Sequence, residues 1–309
     1  MSLSRVILLL SIAAVVSACK SAPVTGRKQL MIVSESQAIS ASKEAYSQTL
    51  APLQKQGKVN DDPALKARVD MITARLVAQA IMYRPETATW DWQVAVIDDP
   101  KTLNAWCMAG GRMAIYTGLI QKLNLTDDEI AQVMGHEIAH ALAQHTAERM
   151  SMAVAQQTGL SIASAVLGGG ATGQTALQGA AIATTVGVQL PNNRTQEAEA
   201  DRIGIELAAK AGYDPHAAPK LWEKMLAATG EKGKADWLST HPASEKRLQS
   251  LAALIPQMMP YYEDKSPRPV YKFKTAMAHD KPAASIVRCD TICADSRRAQ
   301  RLVFPGSLA

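Results

Sequence analysis

The chain has 309 residues, 47% of them hydrophobic and only 5% aromatic, enough for one substantial core and biased by its alanine and methionine content toward helices. The formal net charge of +5 is mild and no basic run is interleaved with aromatics, so no nucleic-acid partner is expected.

The first residues read as targeting rather than structure. A single charge, Arg5, precedes an apolar stretch from Val6 to Val16 that is too short to span a bilayer. The stretch ends in Val16-Ser17-Ala18-Cys19, which resembles the lipobox of bacterial lipoproteins. On that resemblance residues 1–18 are a signal peptide and Cys19 becomes the acylated N-terminus, a membrane anchor. An ordinary secretory signal followed by an incidental cysteine is the alternative. Asp after the cysteine would retain such a lipoprotein in the inner membrane; Lys20 implies the outer membrane, facing the periplasm. Cys289 and Cys293 are spaced for a bridge within the tail, leaving Cys107 free.

A polar connector containing Pro23-Val24-Thr25-Gly26-Arg27 follows. Residues 36–82 read mainly as helix, with Leu65, Val69, Ile72, Leu76 and Ala80 on one apolar stripe. Trp90 to Ile97 reads as a strand. Gly110-Gly111 between Asn104–Ala109 and Met113–Thr117 predicts an extended segment, a turn and another strand. Thr126 and Glu129 form a capping box opening a helix expected to run to about Met150. Residues 152–190 predict two apolar helices with a flexible joint, serving as a mobile lid near the cleft, as a surface for apolar substrate segments, or as a plain packed core hairpin. Further helices are expected over 196–211, stopped at Gly212, over 215–228, and over 244–254. Beyond Pro256 the chain turns Pro- and charge-rich and is expected to be a loosely ordered tail.

The central feature is His136-Glu137-Ile138-Ala139-His140. Positions i and i+4 share a helix face, so both imidazoles can reach one ion at about 2.0–2.1 Å. Glu137 beside them can take a proton from water without ligating the metal. In a capped, mostly apolar helix these groups would otherwise be costly to bury.

A catalytic zinc needs a third protein ligand. A metzincin would carry Gly at position 143 and His at 146; Ala143 and Thr146 stand there instead. His145 lies about 140° around a continuous helix from His140 and is expected to pack or hydrogen-bond elsewhere. Downstream, Glu197 and Asp201 are again i and i+4 and can offer a ligand and a supporting carboxylate. Asp201 would accept the second ring N–H of a metal-bound histidine. Glu199 points about 160° away from Asp201 and is the weaker choice. On geometry alone a solvated acidic helix face remains an alternative reading of this segment.

His136-Glu137-x-x-His140 with Glu197-x-x-x-Asp201 and Arg202-x-Gly204 resembles the M48 peptidases. The resemblance extends to Thr25-Gly26-Arg27, Asn104-Ala105, Gly110-Gly111, Thr117-Gly118-Leu119 and His241-Pro242, and is nearest to the short lipoprotein peptidases of the LoiP type. It implies an α+β, mainly helical gluzincin-like domain with a small edge sheet over 41–255, after an acylated connector (19–40) and before the tail (256–309). It also implies one Zn2+ per chain, with Glu197 as the third ligand beside His136 and His140. The residue matching His241 lies near the metal in that family, where it could stabilise an oxyanion or fill the open metal position; a surface histidine is the alternative. Asn104-Ala105 would lie on an edge strand able to pair with an extended substrate backbone, against the alternative of a simple surface hairpin.

The expected function is therefore that of a zinc endopeptidase with Glu137 as general base. The resemblance suggests unfolded or misassembled cell-envelope proteins as substrates, with outer-membrane assembly machinery as a partner. The rival readings are a latent peptidase acting mainly as a chaperone for outer-membrane proteins and, well behind, a metal-storage lipoprotein.

Overall fold

The computed structural model describes residues 19–166, 194–229, 239–241 and 244–274. The chain divides into two units, Met1–Phe273 and Lys274–Ala309, and the fold below belongs to the first. Residues 1–18, most of the predicted 152–190 hairpin, Pro242, Cys289 and Cys293 lie outside the described residues.

A two-stranded ribbon, β1 (Cys19–Ser21) against β2 (Lys28–Leu30), opens the chain. Helix α1 (Glu35–Lys55) starts at a capping box built by Ser34 and Gln37. Helix α2 (Pro63–Tyr83) carries Pro63 at its first position behind an Asp62 cap. The stretch 36–82, read mainly as helix, is thus two helices, with the apolar stripe from Leu65 to Ala80 wholly on α2. Helix α1 closes locally, with Gly57 at φ 69° and the Lys58 N–H returning to Leu53 O, after which Asn60 (φ 58°) bonds across to Val96 through both its backbone N–H and its side-chain oxygen.

The sheet is small, in the order β3 (Gln93–Ile97), β5 (Arg112–Tyr116), β4 (Ala105–Met108), with β3 parallel and β4 antiparallel to β5. Gly110 and Gly111 both sit at positive φ (85° and 84°), the tight hairpin the sequence predicts. A side chain at 111 would also strike Trp92, since a Cβ there would lie 2.5 Å from its ring. Short helix α3 (Thr117–Lys122) follows.

Helix α4 (Asp127–Leu142) runs through the centre of the core, with every residue from Glu129 to Leu142 buried. Its Thr126/Glu129 capping box is present as predicted. Its end is not: the helix closes at Ala143, Gln144 turns to φ 60°, and α5 (His145–Val166) departs in a new direction. Arg84 Nη1 and Gln29 Nε2 donate to the terminal carbonyls of Leu142 and Ala143, at 3.0 and 2.7 Å, satisfying groups a helix leaves open.

Helices α6 (Arg194–Ala211), α7 (Ala217–Thr229) and α8 (Glu245–Glu263) complete the set. Helix α8 continues through Pro256 and Pro260 rather than stopping before them. Both prolines lie on its exposed face, where water can satisfy the carbonyls they free. Nor is the segment after it loose as far as residue 273. Arg268 caps α8 at the carbonyls of Tyr261, Tyr262 and Asp264, and the Tyr271 N–H bonds Ala74 O at 3.0 Å. The outcome is a mainly helical α+β domain. Among the described residues no helix is long and apolar enough to cross a membrane.

Candidate metal centre

Two helices make the site, and their glycines set how close they come. Gly135 of α4 and Gly204 of α6 face each other so tightly that a Cβ on either would lie 2.8 Å from the other helix's backbone. Beside this contact α4 presents His136 and His140 while α6 presents Glu197 and Asp201. All four are buried, as is His241, which arrives just before α8.

The donor atoms converge. His136 Nε2 lies 3.0 Å from His140 Nε2 and 3.2 Å from His241 Nδ1. Glu197 Oε1 lies 3.3 Å from His140 Nε2 and 2.9 Å from His241 Nδ1, and its Oε2 lies 3.5 Å from His136 Nε2. Ligand atoms about 2.0–2.2 Å from a tetrahedral zinc stand about 3.3–3.6 Å apart, so this cage has the size and donor set for that ion. The field has the right sign too. Burial opposes charge on His136, yet the carboxylates of Asp201 and Glu197 raise its pKa to about 9, so the pocket favours a cation. The Glu197 carboxyl is held well below the usual range: against its burial stand the charge of His241 and hydrogen bonds from all three histidines.

Each metal-helix histidine is oriented through its other ring nitrogen. His136 Nδ1 meets Asp201 Oδ1 at 3.0 Å, the supporting carboxylate the sequence predicts. Arg247, which the sequence reading missed, holds that carboxylate through Nε and Nη2 at 2.6 and 2.7 Å and reaches Glu197 Oε2 through Nη1 at 2.6 Å. Its guanidinium stacks 3.6 Å over the Trp222 ring, which fixes its plane. The six-residue interval after His241 carried no signal that periodicity could detect.

His140 is oriented differently. Its Nδ1 lies 2.7 Å from His145 Nδ1, and His145 Nε2 lies 3.0 Å from Glu199 Oε2. His145 thus stays out of the donor cluster, as expected, and hydrogen-bonds behind it, while Glu199, the weaker ligand candidate, is also outside the cluster and holds His145. The 140° offset assumed an unbroken helix; the left-handed turn at Gln144 re-aims His145 onto His140.

Glu137 lies beside the cage, its Oε1 3.4 Å from His241 Nε2. His241 thus stands between the carboxylate and the donor cluster, with its Nδ1 among the metal-facing atoms. Cys107 is buried and unbridged. Asn104 and Ala105 lie at the start of β4, an edge strand among the described residues. Tyr116 N–H donates to Asn104 O at 3.1 Å, which by antiparallel alternation turns the backbone groups of Ala105 and Cys107 outward. The Asn104 side chain already accepts from the Ala105 N–H at 2.9 Å. Beside Glu197 and Asp201 opens a cavity of about 420 Å3, lined also by Arg194, Ala198, Arg247 and Leu254.

Such a centre, set between a central helix and an acidic partner, belongs to the class of metallopeptidase domains. The model of peptidase family M48 matches residues 63–255, and the chain belongs to that family, whose metallopeptidases use zinc. It is 38% identical over 169 residues to the mitochondrial metalloendopeptidase OMA1 of Schizosaccharomyces pombe, 54% of this chain and 47% of that protein. To the mitochondrial metalloendopeptidase OMA1 of Bos taurus it is 31% identical over 269 residues, 82% of this chain and 50% of the relative. A beta-barrel assembly-enhancing protease of Yersinia pestis is 28% identical over 206 residues, 65% of this chain and 41% of that one. The chain spans half or less of the length of these curated relatives.

Proposed function

We propose that this protein is a zinc-dependent endopeptidase in which His136, His140 and Glu197 hold the metal and Glu137 is the general base. The observation that carries the reading is the convergence of the four buried donors His136, His140, Glu197 and His241 within 4.8 Å of one another, with Glu137 alongside. The bound ion would supply Lewis acidity toward water and the peptide carbonyl. Glu137 accepts the proton of the attacking water and returns it to the leaving amine. Asp201 and His145 keep the ring N–H of each liganding histidine on Nδ1, leaving Nε2 free to ligate.

Substrate enters as an extended chain along β4, where the Ala105 carbonyl and the backbone groups of Cys107, turned outward, give it main-chain partners that read no side chains. That mode favours unfolded protein segments. The lipobox-like run ending at Cys19 supports an anchored lipoprotein of the outer membrane facing the periplasm. Misassembled envelope proteins are then the substrates within reach, and outer-membrane assembly machinery the partner; the name of the Yersinia relative points the same way.

A second reading has one observation in its favour: His241 Nδ1 stands among the donors, which suits a latent enzyme that holds clients and cleaves conditionally. The test is cleavage of an unfolded model protein by the parent, Glu137→Gln and His241→Ala, with zinc content measured for each. Cleavage by the parent, none by Glu137→Gln with zinc retained, and faster cleavage by His241→Ala supports a conditional peptidase. Loss of zinc from Glu137→Gln would show that the base has been misassigned.

A further inference from the structure

The N-terminal segment is joined to the metal centre by a continuous run of hydrogen bonds. Thr25 and Arg27 lie in the turn of the β1–β2 ribbon, which is closed by bonds from Ala22 N to Arg27 O (2.7 Å) and from Gly26 N to Ala22 O (3.0 Å). Arg27 Nε donates to Glu199 Oε2 at 2.7 Å, and Thr25 Oγ1 donates to Glu199 Oε1. The other two guanidinium nitrogens of Arg27 grip Glu148 at 2.8 and 2.6 Å. Glu199 passes the connection to His145, and His145 to His140.

Only one proton arrangement serves a metal ligand here. If His140 ligates through Nε2, its Nδ1 must carry a hydrogen, which it donates to His145 Nδ1. His145 then carries its own hydrogen on Nε2 and donates it to Glu199. The Glu199 carboxylate at the end of the line sets that direction, and Arg27 and Thr25 hold the carboxylate in place. Without Arg27, Glu148 and Glu199, whose side chains are only 7% and 5% exposed, would both lose the guanidinium they share.

We infer that Arg27 is a positioning residue of the metal centre, acting through Glu199 and His145 on His140, so that the N-terminal strap is a working part of the site. The inference rests on the proposed metal reading and deepens it. By reciprocity, zinc in the site stabilises the strap as much as the strap favours zinc. A segment lying directly behind the candidate anchor at Cys19 thereby reports to the metal.

The test uses the full chain and its Arg27→Gln, Arg27→Lys and Glu199→Gln variants, with Arg68→Gln, which breaks an exposed pair to Asp127 of α4, as control. Zinc affinity is measured by chelator competition, and the ligand field by the visible spectrum of the cobalt-substituted protein. Expected are a zinc affinity about 10- to 100-fold weaker in Glu199→Gln and about tenfold weaker in Arg27→Gln, both with altered cobalt spectra. Arg27→Lys recovers part of the affinity, and Arg68→Gln matches the parent. Zinc should also slow amide exchange at Ala22 and Gly26 in the parent. Parent-like affinity and spectrum in the folded Arg27→Gln and Glu199→Gln chains would overturn the inference, as would a lowered melting temperature with unchanged metal binding. Should Arg27→Gln fail to fold, Arg27→Lys and Glu199→Gln decide by the same criteria. A parent that binds no zinc overturns the metal reading itself, and this inference with it.

Discussion

Arg247 shows how much one side chain can hold. It neutralises Glu197 and Asp201 together, both almost fully buried, and is itself clamped by Trp222. Removing one partner of such a group leaves uncompensated charge in the interior, a loss of about 3–5 kcal/mol. Arg247→Gln should therefore lower the melting temperature sharply. The loss should be smaller with zinc present, because the ion replaces part of the missing positive charge at Glu197. Melting curves with and without zinc check this, and equal losses in the two states would sink it. Asp201→Asn should weaken zinc by about 10- to 100-fold in the same chelator competition, since the amide can present its N–H to His136 Nδ1 and favour the wrong tautomer. At this scale the i, i+4 pairs His136/His140 and Glu197/Asp201 and the adjacent Glu137 were legible in the sequence, while helix geometry left Glu197 open to a solvated acidic face and only the family resemblance singled it out as a ligand. The roles of Arg247, His145 and Glu199 were not legible: they depend on what another segment brings to them.

Among the elements, the meeting of α4 and α6 decides whether a site exists at all. Gly135 and Gly204 leave no room for a methyl group, so Gly204→Ala must push the helices apart or bend them, at about 1–3 kcal/mol. The separation of Glu197 from the histidines should widen with it. The expected result is a chain that still folds, melts lower, and binds zinc more weakly than the stability loss alone explains; unaltered zinc affinity would show that the contact is mere packing. The end of α4 matters equally. Periodicity from 126 onward looks helical to Met150, and nothing in the local residues marks Gln144 as the point of departure. The reversal there is stabilised from outside, by Arg84 and Gln29 at the last carbonyls of the helix. The two breaks missed by periodicity differ in cause: the first is closed locally, by Gly57 at φ 69° and the Lys58 N–H returning to Leu53 O, whereas at Gln144 partners distant in sequence satisfy the last carbonyls of the helix.

For the whole molecule, metal and stability should be linked. A ligand that binds only the folded chain adds about 4 kcal/mol at a thousand times its dissociation constant, so a chelator should lower the melting temperature clearly; an unchanged value would count against a metal centre here. Acid should act through the strap. Glu148 is buried, which by itself raises its pKa, but hydrogen bonds from Arg27 and Gln196 hold it below its ordinary value of 4.5. A depressed carboxylate contributes stability that is present above the ordinary value and is lost as pH falls below it. Melting temperature should thus fall more steeply below about pH 4.5 in the parent than in Glu148→Gln; parallel curves would mean that Glu148 plays no part in acid loss.

The amino-acid sequence by itself determined the metal helix and its cap, the two histidines with their base, the acidic pair on a second helix, and the glycine hairpin. All of these are set by spacings of a few residues, where backbone geometry acts directly on neighbouring side chains. Tertiary structure alone decided which helices touch, where α4 ends, and that the ribbon turn at Thr25 and Arg27 is hydrogen-bonded through Glu199 and His145 to His140. Thr25 reaches Glu199 across 174 positions of chain. No local period encodes that distance. It is set by packing, which brings buried charges together because none of them can remain buried without a partner.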